Sequence, residues 1–345
     1  MNEPTRSDRI LGCLLGGAFG DALGAPIEFW GSERVGRDCV RGSFTEQFLP
    51  THYGDDLGLV TDDTQMTLFT LDALLRWRDD PTLDLVQELH SWYLHWWDTQ
   101  RLASPPDGAT GLASQQWLYA RRAPGTTCSS ALAAARASGK LGEPAANDSK
   151  GCGGVMRAAP FGLLGLKDPG DLAARAAGLT HGHAVGQVSA GALAVIIDRI
   201  LFGEPLTTAV QTAITWSEGA GDDGETATAL RTAVDLADSG KPPSQRLVES
   251  LGGAWVGEEA IAISAYCALA FSQPTQFAQA LELAVLHGGD SDSTGAITGN
   301  ILGALHGAQA LPPMSRQVEG FDSICDLAAR AVLESDVDRQ SGGAG

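Results

Sequence analysis

Residues 12–24 read GCLLGGAFGDALG, and residues 294–307 read TGAITGNILGALHG. In each stretch glycine recurs at every fourth position among mostly apolar residues, a spacing that places the glycines along one face of a helix. A glycine inside a helix costs about 1 kcal/mol relative to alanine, so each row implies a compensating close contact between backbones. We therefore expect two central and tightly packed helices.

The rest of the chain shows the same helical periodicity. Segments rich in Ala and Leu recur from end to end, whereas alternating runs of β-branched residues are almost absent. We predict an all-α fold in a single domain over residues 1–335, followed by a disordered tail at 336–345, since no loop is as long as an interdomain linker. The predicted helices span residues 7–24, 62–78, 82–97, 111–121, 127–138, 171–178, 184–202, 206–217, 224–238, 244–251, 257–271, 275–287, 293–309 and 321–334.

The charge balance is strongly acidic, with 42 acidic against 23 basic residues and a formal net charge of −19. Such a surface repels nucleic acid and anionic lipid, so we expect neither as a partner. The six cysteines are scattered without a CxxC pair, which is typical of reduced thiols. Because we recognise neither a signal peptide nor an apolar run of about 18 residues, we expect a cytoplasmic protein without a membrane span. The sequence leaves the oligomeric state open.

The segment VTDDTQMTLFT (60–70) places two adjacent acids at the start of an apolar helix. Thr61 is in the position of an N-cap, and Asp62 and Asp63 fall in the first turn. Capping and complementarity to the helix dipole would alone account for one or two acids here. The segment is therefore ambiguous when it is considered by itself.

A second segment, HGGDSDSTG (287–295), repeats this arrangement at the start of the second glycine-striped helix, with Asp290, Asp292 and Ser293. If the two segments converge, their four carboxylates repel one another unless cations lie between them. Carboxylate and hydroxyl oxygens are ligands that Mg²⁺ and Mn²⁺ prefer. Convergence would thus favour a divalent metal centre over independent capping.

Two further segments are candidates for substrate contacts. The glycine-rich run Gly151, Cys152, Gly153 and Gly154 could present backbone N–H groups to a diphosphate, although this signal is weak alone and Cys152 could simply be a packing residue. His181, in the sequence THGH, is interpreted as a polar residue at the rim of a site.

Together these segments resemble the ADP-ribosylglycohydrolase family. The resemblance covers most of the chain and implies a compact all-α fold with two Mg²⁺ ions, or Mn²⁺, at the base of an ADP-ribose cleft. The blocks that carry it are GCLLGGAFGDALGAPIEFW (12–30), VTDDTQMTLFT (60–70), SKGCGGVMRAAPFG (149–162), LTHGHAVGQVSAGALAV (179–195), GGAWVGEEAIAISAYCAL (252–269) and HGGDSDSTGAITGNILGALHG (287–307).

The resemblance also implies roles for single residues. Asp292 would bridge the two metal ions, and Ser293 stands where the family usually has threonine. Many members have asparagine at the position of Cys152, where this chain has a thiol in place of the amide that would contact ribose. The implied metal ligands are Thr61, Asp62, Asp63, Asp290, Asp292 and Ser293. The implied catalytic carboxylates are Glu28, Asp63 and Asp292, and either Glu28 or Asp63 would help to deprotonate the attacking water.

The family acts on several acceptors, and we expect hydrolysis of ADP-ribosyl-arginine on a modified protein as the first choice. ADP-ribosyl-serine, or another O-linked derivative, is an alternative substrate. A metal-dependent phosphohydrolase acting on a nucleotide diphosphate would use similar ions and would release AMP. The non-enzymatic alternative is an inactive protein that binds ADP-ribose.

Overall fold

The computed structural model describes residues 3–39, 42–54 and 56–332, and within them the chain forms fifteen α-helices and, apart from isolated bridges, no strand. The all-α prediction is confirmed. The helices are α1 (Arg6–Gly24), α2 (Ser32–Asp38), α3 (Asp62–Asp79), α4 (Leu85–Thr99), α5 (Thr126–Ser138), α6 (Ala159–Leu163), α7 (Pro169–Gly178), α8 (Ala184–Leu201), α9 (Leu206–Glu218), α10 (Glu225–Asp238), α11 (Gln245–Glu249), α12 (Gly257–Ala270), α13 (Phe277–Val285), α14 (Ser291–His306) and α15 (Phe321–Val332).

The two glycine-striped helices, α1 and α14, pack directly against each other in the core. A methyl group added to Gly12 would overlap the carbonyl oxygen of Gly303, and one added to Gly24 would overlap that of Ser291. Since one end of α1 faces the opposite end of α14, the pair is antiparallel. The glycines therefore allow the backbones to touch along the whole contact, as the sequence predicts.

The remaining helices surround this pair. Helices α3, α8, α12 and α13 contact α14, and α3 and α15 contact α1. Helix α3 therefore lies against both members of the pair. This packing brings the N-terminus of α3 next to the N-terminus of α14, which decides where the acidic segments lie.

Three short elements differ from the predicted helices. The helix expected at 111–121 is instead two short 3-10 turns, Gly111–Ser114 and Gln116–Leu118, in which the Tyr119 hydroxyl donates to the carbonyl of Ala113 at 2.6 Å. Helices α2 and α6 were not expected, because seven and five residues are too few to show a clear helical period. The tail predicted at 336–345 lies outside the described residues.

Helix α8 overturns the expectation that no apolar run has the length of a membrane span. Its 18 residues have a mean hydropathy of 1.5, which is long and apolar enough to cross a bilayer, and it is the one such helix among the described residues. In this fold 78% of that stretch is buried inside the protein. The core helix of a globular domain has the same composition, so burial against its neighbours accounts for its hydropathy.

Candidate metal centre

The two acidic segments converge on one cavity of about 370 Å³. Helices α3 and α14 both begin at its wall, and the carboxylates that line it are each at most 9% exposed. The condition that separated a metal site from independent helix capping is therefore met. The acidic side chains on the wall are Glu28, Asp62, Asp63, Asp290 and Asp292, and Ser293 adds a hydroxyl beside them.

Asp21, in the last turns of α1, organises the start of α3. Its two carboxylate oxygens accept hydrogen bonds from the N–H groups of Thr61 and Thr64, at 3.0–3.1 Å, and from their hydroxyls, at 2.9 and 2.5 Å. Thr61 is fully buried and lies beneath the cavity wall rather than on it. Its hydroxyl is thus engaged with Asp21 while it also caps α3 by accepting from the Asp63 N–H at 3.3 Å.

The two acids of α3 are held differently. One oxygen of Asp62, Oδ2, accepts from the Gly125 N–H at 3.2 Å, and the Asp62 N–H donates to the carbonyl of Arg122 at 3.0 Å. The connecting loop turns at Ala123, whose φ of 49° is a left-handed conformation that is uncommon outside glycine. Asp63 Oδ2 is buried and has no hydrogen-bond partner. Asp62 is therefore held by the loop, whereas Asp63 keeps one carboxylate oxygen without a hydrogen-bond partner.

The acids of α14 are fixed by the backbone around them. Asp290 Oδ1 accepts from the Ser293 N–H at 3.4 Å, and the Asp290 N–H donates to the carbonyl of Gly253 at 2.9 Å. Carboxylate oxygens of Glu28, Asp290 and Asp292 all lie within 4.8 Å of one another, which is close enough to share a metal ion. Glu28 Oε2 is a second buried oxygen without a partner.

The electrostatics of this group favour a cation. Burial, followed by repulsion from Asp290, Asp62 and Asp21, raises the pKa of Glu28 to about 9. Burial and neighbouring carboxylates likewise raise the pKa of Asp63 and of Asp292 well above the ordinary range. Buried like charges need compensation, and unpaired carboxylate oxygens are hard ligands. The residues present therefore fit divalent metal ions of the Mg²⁺ or Mn²⁺ kind.

Three residues of the glycine-rich run, Gly151, Cys152 and Gly153, lie on the cavity wall, whereas Gly154 is buried and does not line it. Part of the backbone of this run is already hydrogen-bonded. The Gly151 N–H donates to the Ser149 hydroxyl and the Cys152 N–H donates to the carbonyl of Trp255, both at 3.3 Å. A diphosphate would therefore have to bind through the later N–H groups of the run. Cys152 itself lies at the metal centre, with Sγ 2.8 Å from Asp290 Oδ2, and is more than a packing residue.

His181 is a buried residue of the cavity wall rather than a rim residue. Its Nδ1 lies 2.8 Å from the Thr180 hydroxyl, which accepts from Arg157 at 2.6 Å. Arg157 is 1% exposed, and its guanidinium lies over the Tyr93 ring, 4.3 Å from the ring centroid. Burial and the nearby Arg157 charge lower the pKa of His181 to about 3. The imidazole therefore faces the cavity as a neutral group.

Sequence reasoning did not identify three features of the site. Asp21 could have been suspected, because it is the one charged residue within the first glycine stripe. The loop around Ala123, between the predicted helices 111–121 and 127–138, was not recognised as part of the site. Phe29 and Trp255, two exposed rings that also line the cavity, carry no local sequence signal of their own.

Comparisons with known proteins show what the chain is similar to. A family model described as ADP-ribosylglycohydrolase matches residues 2–341. The chain is 28% identical to the uncharacterized protein YegU of Escherichia coli (strain K12), over 89% of this chain and 90% of that one. It is 23% identical to the ADP-ribosyl-(dinitrogen reductase) glycohydrolase of Rhodospirillum rubrum, over 98% and 97%, and 24% identical to the ADP-ribosylhydrolase ARH3 of Mus musculus, over 93% and 90%.

A solved structure titled ADP-ribosylglycohydrolase-related protein complex has the same fold. It superposes with a TM-score of 0.66 at 24% identity and covers 94% of this chain and 97% of its own. The similarity therefore extends over nearly the whole length of both chains.

Proposed function

The chain belongs to the ADP-ribosylglycohydrolase family, and we propose that it removes ADP-ribose from arginine side chains of modified proteins with the help of two Mg²⁺ or Mn²⁺ ions. The family supports a hydrolase that acts on ADP-ribose glycosidic bonds. The arginine linkage and the two metal ions are our proposal and go beyond what the family supports.

One observation carries the choice of arginine. The described residues that line the cavity include five carboxylates and neither lysine nor arginine. A wall of this charge attracts a cationic leaving group and offers nothing comparable to the neutral hydroxyl of serine. The anionic ADP-ribose part would be held where the metal ions and the backbone N–H groups compensate its charge.

The metal ligands would come from both helix starts. We assign Asp62, Asp63, Asp290 and Asp292 to this role. When bound, the ions would supply positive charge for the ribose hydroxyls and lower the pKa of a water molecule. The Ser293 hydroxyl completes the oxygen-rich set, and Thr61 supports it from below through its cap on α3.

The reaction breaks the bond between the anomeric carbon of ribose and a guanidine nitrogen. The oxygen of water becomes bonded to that carbon, and one proton of the water must reach the departing nitrogen. Glu28 and Asp63 each keep one buried oxygen without a hydrogen-bond partner, so either can carry this proton. We favour Glu28, because the neighbouring Phe29 is exposed and places this carboxylate at the end of the cavity from which the side chain of a protein would enter.

The test is a direct assay with two substrates. The purified protein is incubated with an arginine-ADP-ribosylated and a serine-ADP-ribosylated peptide, with Mg²⁺, with Mn²⁺ or with EDTA, and the products are followed by mass spectrometry. We expect metal-dependent release of intact ADP-ribose from the arginine peptide. Replacing Asp290 by Asn should abolish this release, and Glu28→Gln should lower kcat more than it raises KM.

A matched control is Asp238→Asn, which removes an exposed carboxylate at the end of α10, away from the cavity wall. It should leave the rate unchanged. Release from the serine peptide alone would reassign the linkage, and release of AMP would identify a phosphohydrolase. Tight binding of ADP-ribose without turnover of either peptide would show that the protein only binds ADP-ribose.

A further inference from the structure

Two exposed aromatic rings stand at the opening of the cavity. Phe29 and Trp255 are 68% and 47% exposed, and their rings stack with centroids 5.8 Å apart and an angle of 15° between the planes. They come from different parts of the chain, the loop after α1 and the loop before α12. Of the large apolar side chains that are exposed among the described residues, these two alone line the cavity.

The loop that carries Trp255 is fixed by backbone hydrogen bonds. The Trp255 carbonyl accepts a hydrogen bond from the Cys152 N–H at 3.3 Å. The Gly253 carbonyl accepts from the Asp290 N–H at 2.9 Å, and the Gly253 N–H donates to the Glu259 carboxylate at 3.0 Å. Ala254 between them has a φ of 64°, a strained conformation that persists only where the surroundings enforce it. The backbone that carries the Trp255 ring is therefore fixed, and it is directly hydrogen-bonded to Asp290 at the start of α14.

Phe29 is linked to the site through its neighbour. Glu28 precedes it and has a carboxylate oxygen within 4.8 Å of those of Asp290 and Asp292. The aromatic pair thus lies between the solvent and the buried carboxylates of the cavity. A side chain of a modified protein must pass this opening, because the protein to which it belongs remains outside.

We propose that the stacked pair of Phe29 and Trp255 binds the guanidinium of the arginine acceptor and so sets the linkage that this enzyme cleaves. This inference rests on the proposed function. A guanidinium is planar, delocalised and weakly hydrated, and it stacks on aromatic faces, whereas an O-linked serine offers neither a plane nor a charge.

The experiment compares Phe29→Leu and Trp255→Leu with wild type in steady-state hydrolysis of the arginine-linked peptide and in calorimetric binding of ADP-ribose. A cation–π contact of this kind predicts that KM for the arginine peptide rises about 5- to 30-fold. The Kd of ADP-ribose should stay within a factor of about two, because it lacks the acceptor. Trp255→Phe should restore most of the wild-type KM, since it keeps an aromatic face.

Phe202→Leu is the matched control. Phe202 is also an exposed ring, 56% accessible, and it carries the Arg199 guanidinium 4.8 Å from its centroid, but it lies outside the cavity wall. We expect no change in KM. The inference is overturned if the two leucine variants cleave the arginine peptide as wild type does, if they weaken ADP-ribose binding equally, or if Trp255→Phe is as impaired as Trp255→Leu. Wild type that releases no ADP-ribose from the arginine peptide would instead overturn the proposed function, and this inference with it.

Discussion

Asp21 Oδ1 accepts hydrogen bonds from both the main-chain N–H and the hydroxyl of Thr61, at 3.1 and 2.9 Å. Asp21 belongs to the glycine-striped helix α1, whereas Thr61 caps the helix that begins with Asp62 and Asp63. The contact therefore connects the core pair of helices to the candidate metal ligands. The position of those candidate ligands therefore depends on Asp21, a residue that does not line the cavity.

Replacing Asp21 by Asn should weaken metal binding. An amide keeps one acceptor oxygen but cannot accept from Thr61 and Thr64 on both of its ends, so the start of α3 loses its anchor. Loss of such supporting contacts lowers metal affinity by about 10- to 100-fold. Titration calorimetry with Mn²⁺ measures the effect. Asp72→Asn is the control, because Asp72 is also buried, lies on α3 and pairs with Arg330, at 2.8 Å, away from the cavity. Equal Kd values for wild type and Asp21→Asn would contradict the anchoring role.

Replacing Asp292 by Asn should have opposite effects on stability with and without metal. In EDTA the variant should melt at the same temperature as wild type or higher, because one of several buried, mutually repelling carboxylates is gone. With Mn²⁺ at about 100 times its Kd, wild type should gain about 2.7 kcal/mol in unfolding free energy, and the variant much less. Thermal melts in both conditions test this, with Asp238→Asn as the exposed control. An equal Mn²⁺ shift in wild type and Asp292→Asn would exclude Asp292 as a ligand.

Sequence reasoning recovered the features that local patterns encode. The glycine stripes predicted the central helices, and the acids placed at two helix starts, near Thr61 and Asp290, predicted the site. The sequence alone could not show that the two helix starts converge. Their convergence depends on the antiparallel packing of α1 and α14 and on the contact of α3 with both helices.

What could not be predicted depends on contacts between distant segments. The anchoring by Asp21 and the pairing of Phe29 with Trp255 arise only when loops far apart in sequence meet. Arg157 shows the same limit: nothing in its local sequence indicates that the fold buries it against Thr180 and the Tyr93 ring.

Adding one methyl group to the central helix pair should strongly destabilise the protein. In Gly303→Ala the new Cβ would overlap the carbonyl of Gly12, and since backbone lies on both sides, neither helix can yield without separating. We expect a loss of about 3 kcal/mol or more. Gly36→Ala is the matched control: this helical glycine of α2 has open space around it, and alanine should be neutral or stabilise by up to about 1 kcal/mol. Urea unfolding gives both values, and similar values for the two variants would contradict close backbone contact.

His181 should make the protein less stable toward acid. Burial lowers its pKa in the folded protein to about 3, whereas the unfolded chain keeps the ordinary value of 6.5. Between these values the unfolded state binds the extra proton, so the contribution of His181 is complete above pH 6.5 and is lost as the pH falls toward 3, by at most about 1.4 kcal/mol per unit. His181→Gln should therefore show a shallower decline than wild type in urea unfolding between pH 7.5 and 5. His183→Asn, at the partly exposed cap of α8, is the control and should follow wild type. Parallel declines for wild type and His181→Gln would mean that His181 takes up its proton in the folded state, which would place it in contact with water rather than in the buried wall.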